Sequence, residues 1–251
     1  MAEGTRHPPI NQKLARFFKV GLHYGHKKKE WNPKMVPFLF HSFPEVNREY
    51  HFINLYETQK YLNKACRYLR TASLKRKVIL FVGTKKRLAS AIQQEAMRCG
   101  AFYVNYRWLG GMLTNWKTIQ KRIRRLRVLE TLQAYGILNY YPKKESAKLK
   151  RELEKLNNYL AGIKNMPYLP DVVVLIDQEH ELTAIKECKT LKIPIISIID
   201  SNSNPDLVDL GIPGNDDSVK AIRYVLHRLA RAIAGHQQSQ NDKLLTQAAL
   251  N

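Results

Sequence analysis

The chain has 251 residues, with 42 Lys or Arg against 21 Asp or Glu, a net charge of +21. An excess of this size favours a polyanionic partner, and it indicates nucleic acid over an anionic membrane, which would need a basic helix with a broad apolar face. No apolar run approaches the roughly 18 residues needed to cross a bilayer. The start MAEGTRHPPINQ resembles neither a signal peptide nor a long Arg/Ser-rich transit peptide. We therefore expect a soluble protein that works in the compartment where it is made.

The three cysteines, Cys66, Cys99 and Cys188, lie far apart and form no CxxC motif. Each falls within a helix-like pattern beside other apolar residues. The pattern predicts small hydrophobic residues in a reducing compartment, without disulfides or thiolate metal sites.

Short apolar runs alternate with helical periodicity, which is typical of a βαβ architecture. The segment at 21–35 contains Gly21, Gly25 and Pro33, which predicts an irregular loop. Strands are predicted at 52–55, 78–82, 102–104, 172–176 and 193–199. Helices are predicted at 58–73, 88–99 and 182–188, and from Asp217 or Ser218 onward, either of which could cap the last helix. The alternation predicts a doubly wound α/β fold with a parallel sheet.

Residues 114–166 contain no strand pattern and split into two helical halves around GILNYYPKK. Leucines of the second half recur at an average spacing of about 3.5, the coiled-coil period. The segment predicts an inserted antiparallel α-helical hairpin that stands off the sheet. The remaining chain is assigned to an α/β domain (1–113, with a basic segment at 1–35, and 167–236) and a polar tail (237–251).

Charge divides the chain unevenly. Residues 114–166 hold 13 Lys or Arg against 4 Glu, a net of +9, whereas residues 167–217 hold 3 Lys against 10 acids, a net of −7. This asymmetry predicts one surface that faces RNA and another that is turned away from it.

Two basic and aromatic segments are candidates for RNA binding. GLHYGHKKKEWNPKM at 21–35 carries three consecutive lysines, and YRWLGGMLTNW at 106–116 leads into the basic helix. Cations of these segments are expected to meet phosphates, and Trp108 is included as a stacking candidate, although core burial is favoured for the tryptophan rings. In the hairpin, Lys121, Arg122 and Arg125 are expected to contact the RNA backbone.

FVGTKKRLAS at 81–90 has the strand–loop–helix form of a phosphate-binding loop, but Gly83 is its only glycine. GxGxxG and GxSxG motifs are absent from the sequence. Thr84, Lys85 and Lys86 could hold a single RNA phosphate at the start of the helix. The sequence therefore indicates a protein without enzymatic activity or a small-molecule substrate.

Aspartates follow the last predicted strand and precede the last predicted helix. Asp200 follows the predicted strand at 193–199, and Asp216 and Asp217 precede the last helix. Near His23 or His26 these carboxylates could bind a divalent cation. The alternative, favoured for each residue alone, is that they make turns and helix caps.

Taken together, GLHYGHKKKEWNPKM, FVGTKK, FYVNYRWLGGMLTNWKTI, GIKNM, LPDVVVLID, IPIISIIDSNSNPD and IPGNDDS resemble the S-two family of small-subunit ribosomal proteins, over residues 14–235. The resemblance implies a flavodoxin-like domain with an inserted helical hairpin. It implies binding to small-subunit rRNA, beside neighbouring ribosomal proteins and with the mRNA-binding protein S-one as a further partner. The RNA-facing residues that it implies are Lys27, Lys28, Lys29, Lys34, Arg107, Asn115 and Lys117.

In bacterial relatives a metal pattern would fall on His26, Asp200, Asp216 and Asp217, implying a zinc or magnesium ion that is not required as a cofactor. The chain departs from the family at Asn204, where an aspartate is usual, and this weakens the metal inference. A second departure is a longer turn at 41–55.

LIDQEHELTAIKEC resembles cyanobacterial and plastid members, which favours the chloroplast stroma over bacterial cytoplasm or mitochondrion. We expect a structural constituent of the small ribosomal subunit that supports assembly and translation. A nucleotide-dependent enzyme would need the missing glycine-rich loops. A coiled-coil adaptor would need helix faces of mixed charge.

Overall fold

The computed structural model describes residues 12–40 and 49–248, with side chains described for 14–40 and 49–235. The helices are α1 (Gln12–Lys19), α2 (Leu55–Leu74), α3 (Ala89–Arg98), α4 (Trp116–Ala134), α5 (Lys143–Leu160), α6 (Leu182–Thr190) and α7 (Val219–Ala248). The strands are β1 (Tyr24–Lys27), β2 (Tyr50–Phe52), β3 (Ile79–Val82), β4 (Phe102–Val104), β5 (Val172–Leu175), β6 (Ile195–Ile199) and β7 (Leu210–Pro213).

Five strands form a parallel sheet in the order β4-β3-β5-β6-β7. Chain order reverses between β3 and β5, which is the strand order of flavodoxin-like folds. In such sheets the loops at the carboxyl ends of the strands converge on one edge. The predicted doubly wound α/β fold is confirmed.

The central strands are buried on both faces, which is why their sequences are continuous apolar runs. Alternate side chains point to opposite faces and enter two cores. Phe81, Val174 and Ile198 pack in the first core, which α2, α3 and α7 cover. Leu80 and Val173 pack in the second core, which α4, α5 and α6 cover. Each fully buried aliphatic side chain contributes about 1.5–3 kcal/mol relative to exposure.

The prediction of an irregular loop at 21–35 is wrong in part. Within it, β1 pairs antiparallel with β2 in a separate two-stranded sheet, and Pro33–Phe38 forms a 3-10 helix. Asn32 caps that helix, because its side chain accepts a hydrogen bond from the Lys34 amide. The strand predicted at 52–55 lies instead at 50–52. The longer turn at 41–55 falls partly outside the described residues.

The structure shows which residue caps the last helix. Ser218 caps α7, since its Oγ accepts a hydrogen bond from the Ala221 amide at 3.3 Å. Asp217 does not cap the helix; its amide and that of Ser218 donate to the Asn215 side chain at 2.8 and 3.0 Å. The helix continues to Ala248, through most of the segment assigned to a tail.

Helices α4 and α5 lie between β4 and β5 and pack on each other. Ile123, Leu126 and Leu153 from these helices belong to the second core together with sheet residues. A 3-10 turn at Ala161–Ile163 follows α5, and a Cβ on Gly162 would lie 2.0 Å from the carbonyl oxygen of Tyr103 in β4. The boundaries of a separate inserted unit remain a prediction, because the hairpin shares a core with the sheet.

The three cysteines are free thiols; Cys99 and Cys188 are buried, and Cys66 is partly buried. Within the two described ranges, no helix is both long enough and apolar enough to cross a membrane.

Candidate nucleic-acid interface

The loop that leads into α4 is held by one carboxylate from α6. Glu187 accepts hydrogen bonds from Trp108 Nε1 at 2.9 Å, from the Gly111 amide at 2.8 Å and from the Leu113 amide at 2.9 Å. It also accepts from the amide and hydroxyl of Thr114 at 3.0 and 3.1 Å. The glycine is needed because its φ of +81° lies in the left-handed region.

Glu187 is an ionised group in a nearly closed environment, with 7% of its surface exposed. Burial alone would raise its pKa, but the hydrogen bonds from Thr114, Trp108, Leu113 and Gly111 outweigh burial and lower the pKa. A charged acceptor of this kind fixes the direction in which the chain enters α4.

Trp108 does not belong with the RNA-facing residues. Its ring is buried in the second core, and its Nε1 proton is used by Glu187. A ring in this position has no free face for a base. The neighbouring Arg107 and Asn115, in contrast, are exposed.

The hairpin presents most of its cations to solvent. Lys117, Lys121 and Arg122 are exposed on α4, and none of the three forms an ion pair with a described residue. Arg125 donates two hydrogen bonds to Glu152 on α5, both at 2.9 Å. Its charge is therefore partly neutralised within the hairpin, unlike the charges of Lys121 and Arg122.

The second basic element lies around the end of β1. Lys27, the last residue of the strand, and Lys28 and Lys29 in the following turn are exposed. Lys34 is also exposed, but its ammonium forms an ion pair with Asp206. Three of these four lysines thus make no ion pair within the part of the chain that the structure describes.

Carboxylates gather at the carboxyl edge of the sheet, as predicted. His26 Nδ1 lies 3.3 Å from an oxygen of Asp200, and His26 Nε2 lies 3.5 Å from an oxygen of Asp217. Asp200 accepts hydrogen bonds from the amides of Ser201 and Asp216. The other candidate, His23, is stacked on Phe18 with ring centroids 4.0 Å apart and takes no part in the cluster.

A lysine from the loop after β3 completes this edge. Lys85 Nζ lies 2.5 Å from Asp177, 3.1 Å from Asp217 and 3.9 Å from Asp216. Arg87 contacts Asp217 at 2.7 Å. Burial alone would raise the pKa of Asp217, but Lys85 and Arg87 lower it.

For Asp216 the more distant charge of Lys85 compensates only in part. The burial of Asp216, reinforced by the charges of Asp200 and Asp177, raises its pKa to about 8. The contact with Asp200 raises the pKa of His26 to about 9. The edge is therefore a network in which protons and internal cations balance the carboxylates.

Three of the four predicted metal ligands lie close together. Ligand atoms of His26, Asp216 and Asp217 lie within 4.8 Å of one another, but Asp200 is not part of that group. Lys85 and Arg87 contact Oδ1 of Asp217, whereas Oδ2 faces His26. A metal ion at this edge stays a prediction, and the charges of Lys85 and Arg87 would oppose it.

The phosphate interpretation of Thr84, Lys85 and Lys86 loses support for the first two residues, whereas Lys86 is exposed. The Thr84 amide donates to Glu181 at 2.7 Å, and Lys85 is engaged by carboxylates. The Thr84 amide and the Lys85 ammonium, which would bind the phosphate, thus already have partners within the chain.

The sequence did not reveal the roles of Glu187, which holds the loop before α4, and of Lys85, which pairs with the carboxylates at the edge of the sheet. Glu187 stands in the helical run IKECK, where a glutamate is expected to face solvent. Lys85 is the first of two adjacent lysines, and nothing in the sequence distinguishes it from Lys86. Only the neighbours that the fold supplies reveal either role.

Comparison with known proteins agrees with this architecture. The family model described as ribosomal protein S2 matches residues 17–235. The chain is 48% identical over 233 residues to small ribosomal subunit protein uS2c of Guillardia theta, covering 91% of this chain and 97% of the relative. It is 49% identical over 229 residues to uS2 of Synechococcus sp. (strain JA-3-3Ab), covering 91% and 84%. For uS2c of Porphyra purpurea the identity is 46% over 220 residues, covering 88% and 90%.

These matches extend over the sheet, α4, α5 and both basic elements. With a family model that spans most of the chain, they show that the chain belongs to the ribosomal protein S2 family, a structural component of the small ribosomal subunit and not an enzyme.

Proposed function

We propose that the chain binds small-subunit rRNA and so supports assembly of the subunit and translation. It acts by neutralising phosphates with two basic elements. The first is Lys27–Lys29 at the end of β1, and the second consists of Arg107 in the loop before α4 and the exposed cations Lys117, Lys121 and Arg122 in the first part of α4. Phosphate contacts of this type position a protein on RNA without reading its sequence.

The observation that carries the proposal is the unpaired charge of the hairpin. Among the described residues, only Arg125 and Lys164 of its 13 cations form ion pairs. Acidic partners are available elsewhere in the chain, yet the fold does not bring them to this surface. Unpaired cations at this density repel one another, and a polyanion removes that cost.

We also propose that the protein works in the chloroplast stroma. Support comes from relatives of plastid type in Guillardia theta and Porphyra purpurea, alongside cyanobacterial ones. Its neighbours there are other proteins of the small subunit.

Sedimentation of the tagged full chain from its own lysate, at moderate and at high salt, tests the proposal. We expect co-migration with small-subunit rRNA at both salt concentrations. Protein that stays at the top of the gradient at both would contradict it. Fractionation of plastids before lysis tests the location, and recovery of the tagged subunits outside the plastid fraction would overturn that part.

A further inference from the structure

A groove opens on the hairpin between α4, α5 and the loop that precedes α4. It encloses a cavity of about 480 Å³, lined by Leu109 from the loop and by residues of both helices. This volume falls within the range of small-ligand sites, about 300–1,000 Å³. The groove therefore has room for more than a single phosphate ion.

The floor of the groove is apolar and aromatic. Leu156, Tyr159 and the fully buried Leu160 line it from α5. The ring of Tyr159 meets that of Tyr106 edge to face, with centroids 5.2 Å apart, which restrains its orientation. A restrained aromatic ring at the bottom of a groove is a platform on which a base can stack at low entropic cost.

The rim of the groove is cationic. Arg122 from α4 and Lys155 from α5 line it, and neither forms an ion pair with any residue that the structure describes. The third cation, Arg125, is neutralised by Glu152. Two free positive charges thus stand above an apolar floor.

We infer that this groove is a binding site for one unpaired nucleotide of the small-subunit rRNA, with the base on Tyr159 and Leu156 and the phosphate between Arg122 and Lys155. Stacking of unpaired bases on aromatic side chains beside cations is a common mode of RNA recognition. The inference rests on the proposed function, and it adds a base-binding site to a surface otherwise described by charge alone.

Two full-chain variants test the two parts of the site. Tyr159→Leu keeps an apolar side chain but removes the ring, so we expect affinity for small-subunit rRNA to fall about tenfold with an unchanged salt dependence. The double variant Arg122→Gln and Lys155→Gln should lower affinity and also reduce the slope of log affinity against log salt by about 1–2. Lys144→Gln with Lys150→Gln, exposed positions outside the groove, is the matched control and should lower affinity less.

Photo-crosslinking locates the ligand. Subunits are assembled with rRNA that carries 4-thiouridine, and crosslinked peptides are identified by mass spectrometry. We expect a crosslink within Leu156–Leu160 that Tyr159→Leu abolishes.

The outcomes separate the two proposals. If Tyr159→Leu binds rRNA like the wild type and crosslinks form only elsewhere on the hairpin, the groove assignment is wrong and the proposed function stands. If the wild type binds no rRNA at all, the proposed function itself fails. If free UMP binds the isolated protein and no rRNA crosslink forms in the groove, the site takes a free nucleotide, and the rRNA assignment is overturned.

Discussion

The hairpin and the carboxyl edge of the sheet treat their charges in opposite ways. At the edge of the sheet, Lys85, Arg87 and His26 all face carboxylates of the same chain. On the hairpin, cations such as Lys121 and Arg122 face solvent. The carboxylates of the edge find cations within the protein, whereas most cations of the hairpin have no acidic partner among the described residues. Net charge separates the two segments of the sequence, but it does not show which charges the fold brings together.

The strongest test of this comparison releases the loop that leads into the hairpin. Glu187→Ala removes the acceptor for five backbone and side-chain groups, so the free energy of unfolding should fall by about 3 kcal/mol or more. Urea denaturation followed by circular dichroism measures it. The exposed Glu179→Ala should stay within about 0.5 kcal/mol of the wild type. A loss for Glu187→Ala as small as that of the control would show that the loop is held by other contacts.

A second test reverses the unpaired charge. The triple variant Lys121→Glu, Arg122→Glu and Arg124→Glu should lower affinity for small-subunit rRNA by about 100-fold or more, because phosphate contacts become repulsions. Filter binding measures the affinity, and thermal unfolding should stay unchanged. The control variant Lys64→Glu, Arg67→Glu and Arg70→Glu changes the net charge by the same amount on α2, and it should lower the affinity for rRNA less. If both triple variants lose the same affinity, total charge decides binding and the hairpin has no special role.

A third test removes the cation that completes the acidic edge. Lys85→Met removes the cation that Asp177, Asp216 and Asp217 share, so we expect a loss of about 2 kcal/mol in stability, whereas Lys121→Met on the hairpin should cost almost none. Zinc chloride should raise the Tm of Lys85→Met and leave the wild type unchanged. A zinc-dependent rise in the Tm of the wild type would mean that a metal ion binds this edge even when Lys85 is present.

The smallest expected effect is a dependence of stability on pH. The pKa of His26, about 9 in the folded protein, lies above its ordinary value of 6.5, so its contribution is complete below pH 6.5 and is lost as the pH rises through 9. The pKa of Asp216, about 8 in the folded protein, lies above its ordinary value of 3.8, so its contribution is complete below pH 3.8 and is lost as the pH rises through 8. Stability should therefore decline from about pH 4 to pH 9, with both groups contributing between pH 6.5 and 8. The decline should be shallower in His26→Asn and Asp216→Asn, and an equally steep decline in both would place the titrating group elsewhere.

Some elements could be predicted from the sequence because their local pattern and their environment agree. Strands β3 and β5 are continuous apolar runs and β6 is interrupted only by Ser197, as is typical of strands buried on both faces. Strands β1 and β7, YGHK and LGIP, have no such pattern, and their pairing comes from the rest of the fold. The burial of Trp108 followed from the preference of its ring for the core. The acceptor of its Nε1 proton, Glu187, lies 79 residues away, and no local signal connects the two.

The close contact between Gly162 and Tyr103 has a consequence for the protein before it reaches a ribosome. Strand β4 is at the outer position of the sheet, and an uncovered outer strand invites pairing with other chains and aggregation. The turn at Ala161–Ile163 lies against the Tyr103 carbonyl and shields the strand at that point. We therefore expect the hairpin to limit self-association of the free protein, so that a chain with a displaced hairpin is less soluble than the wild type.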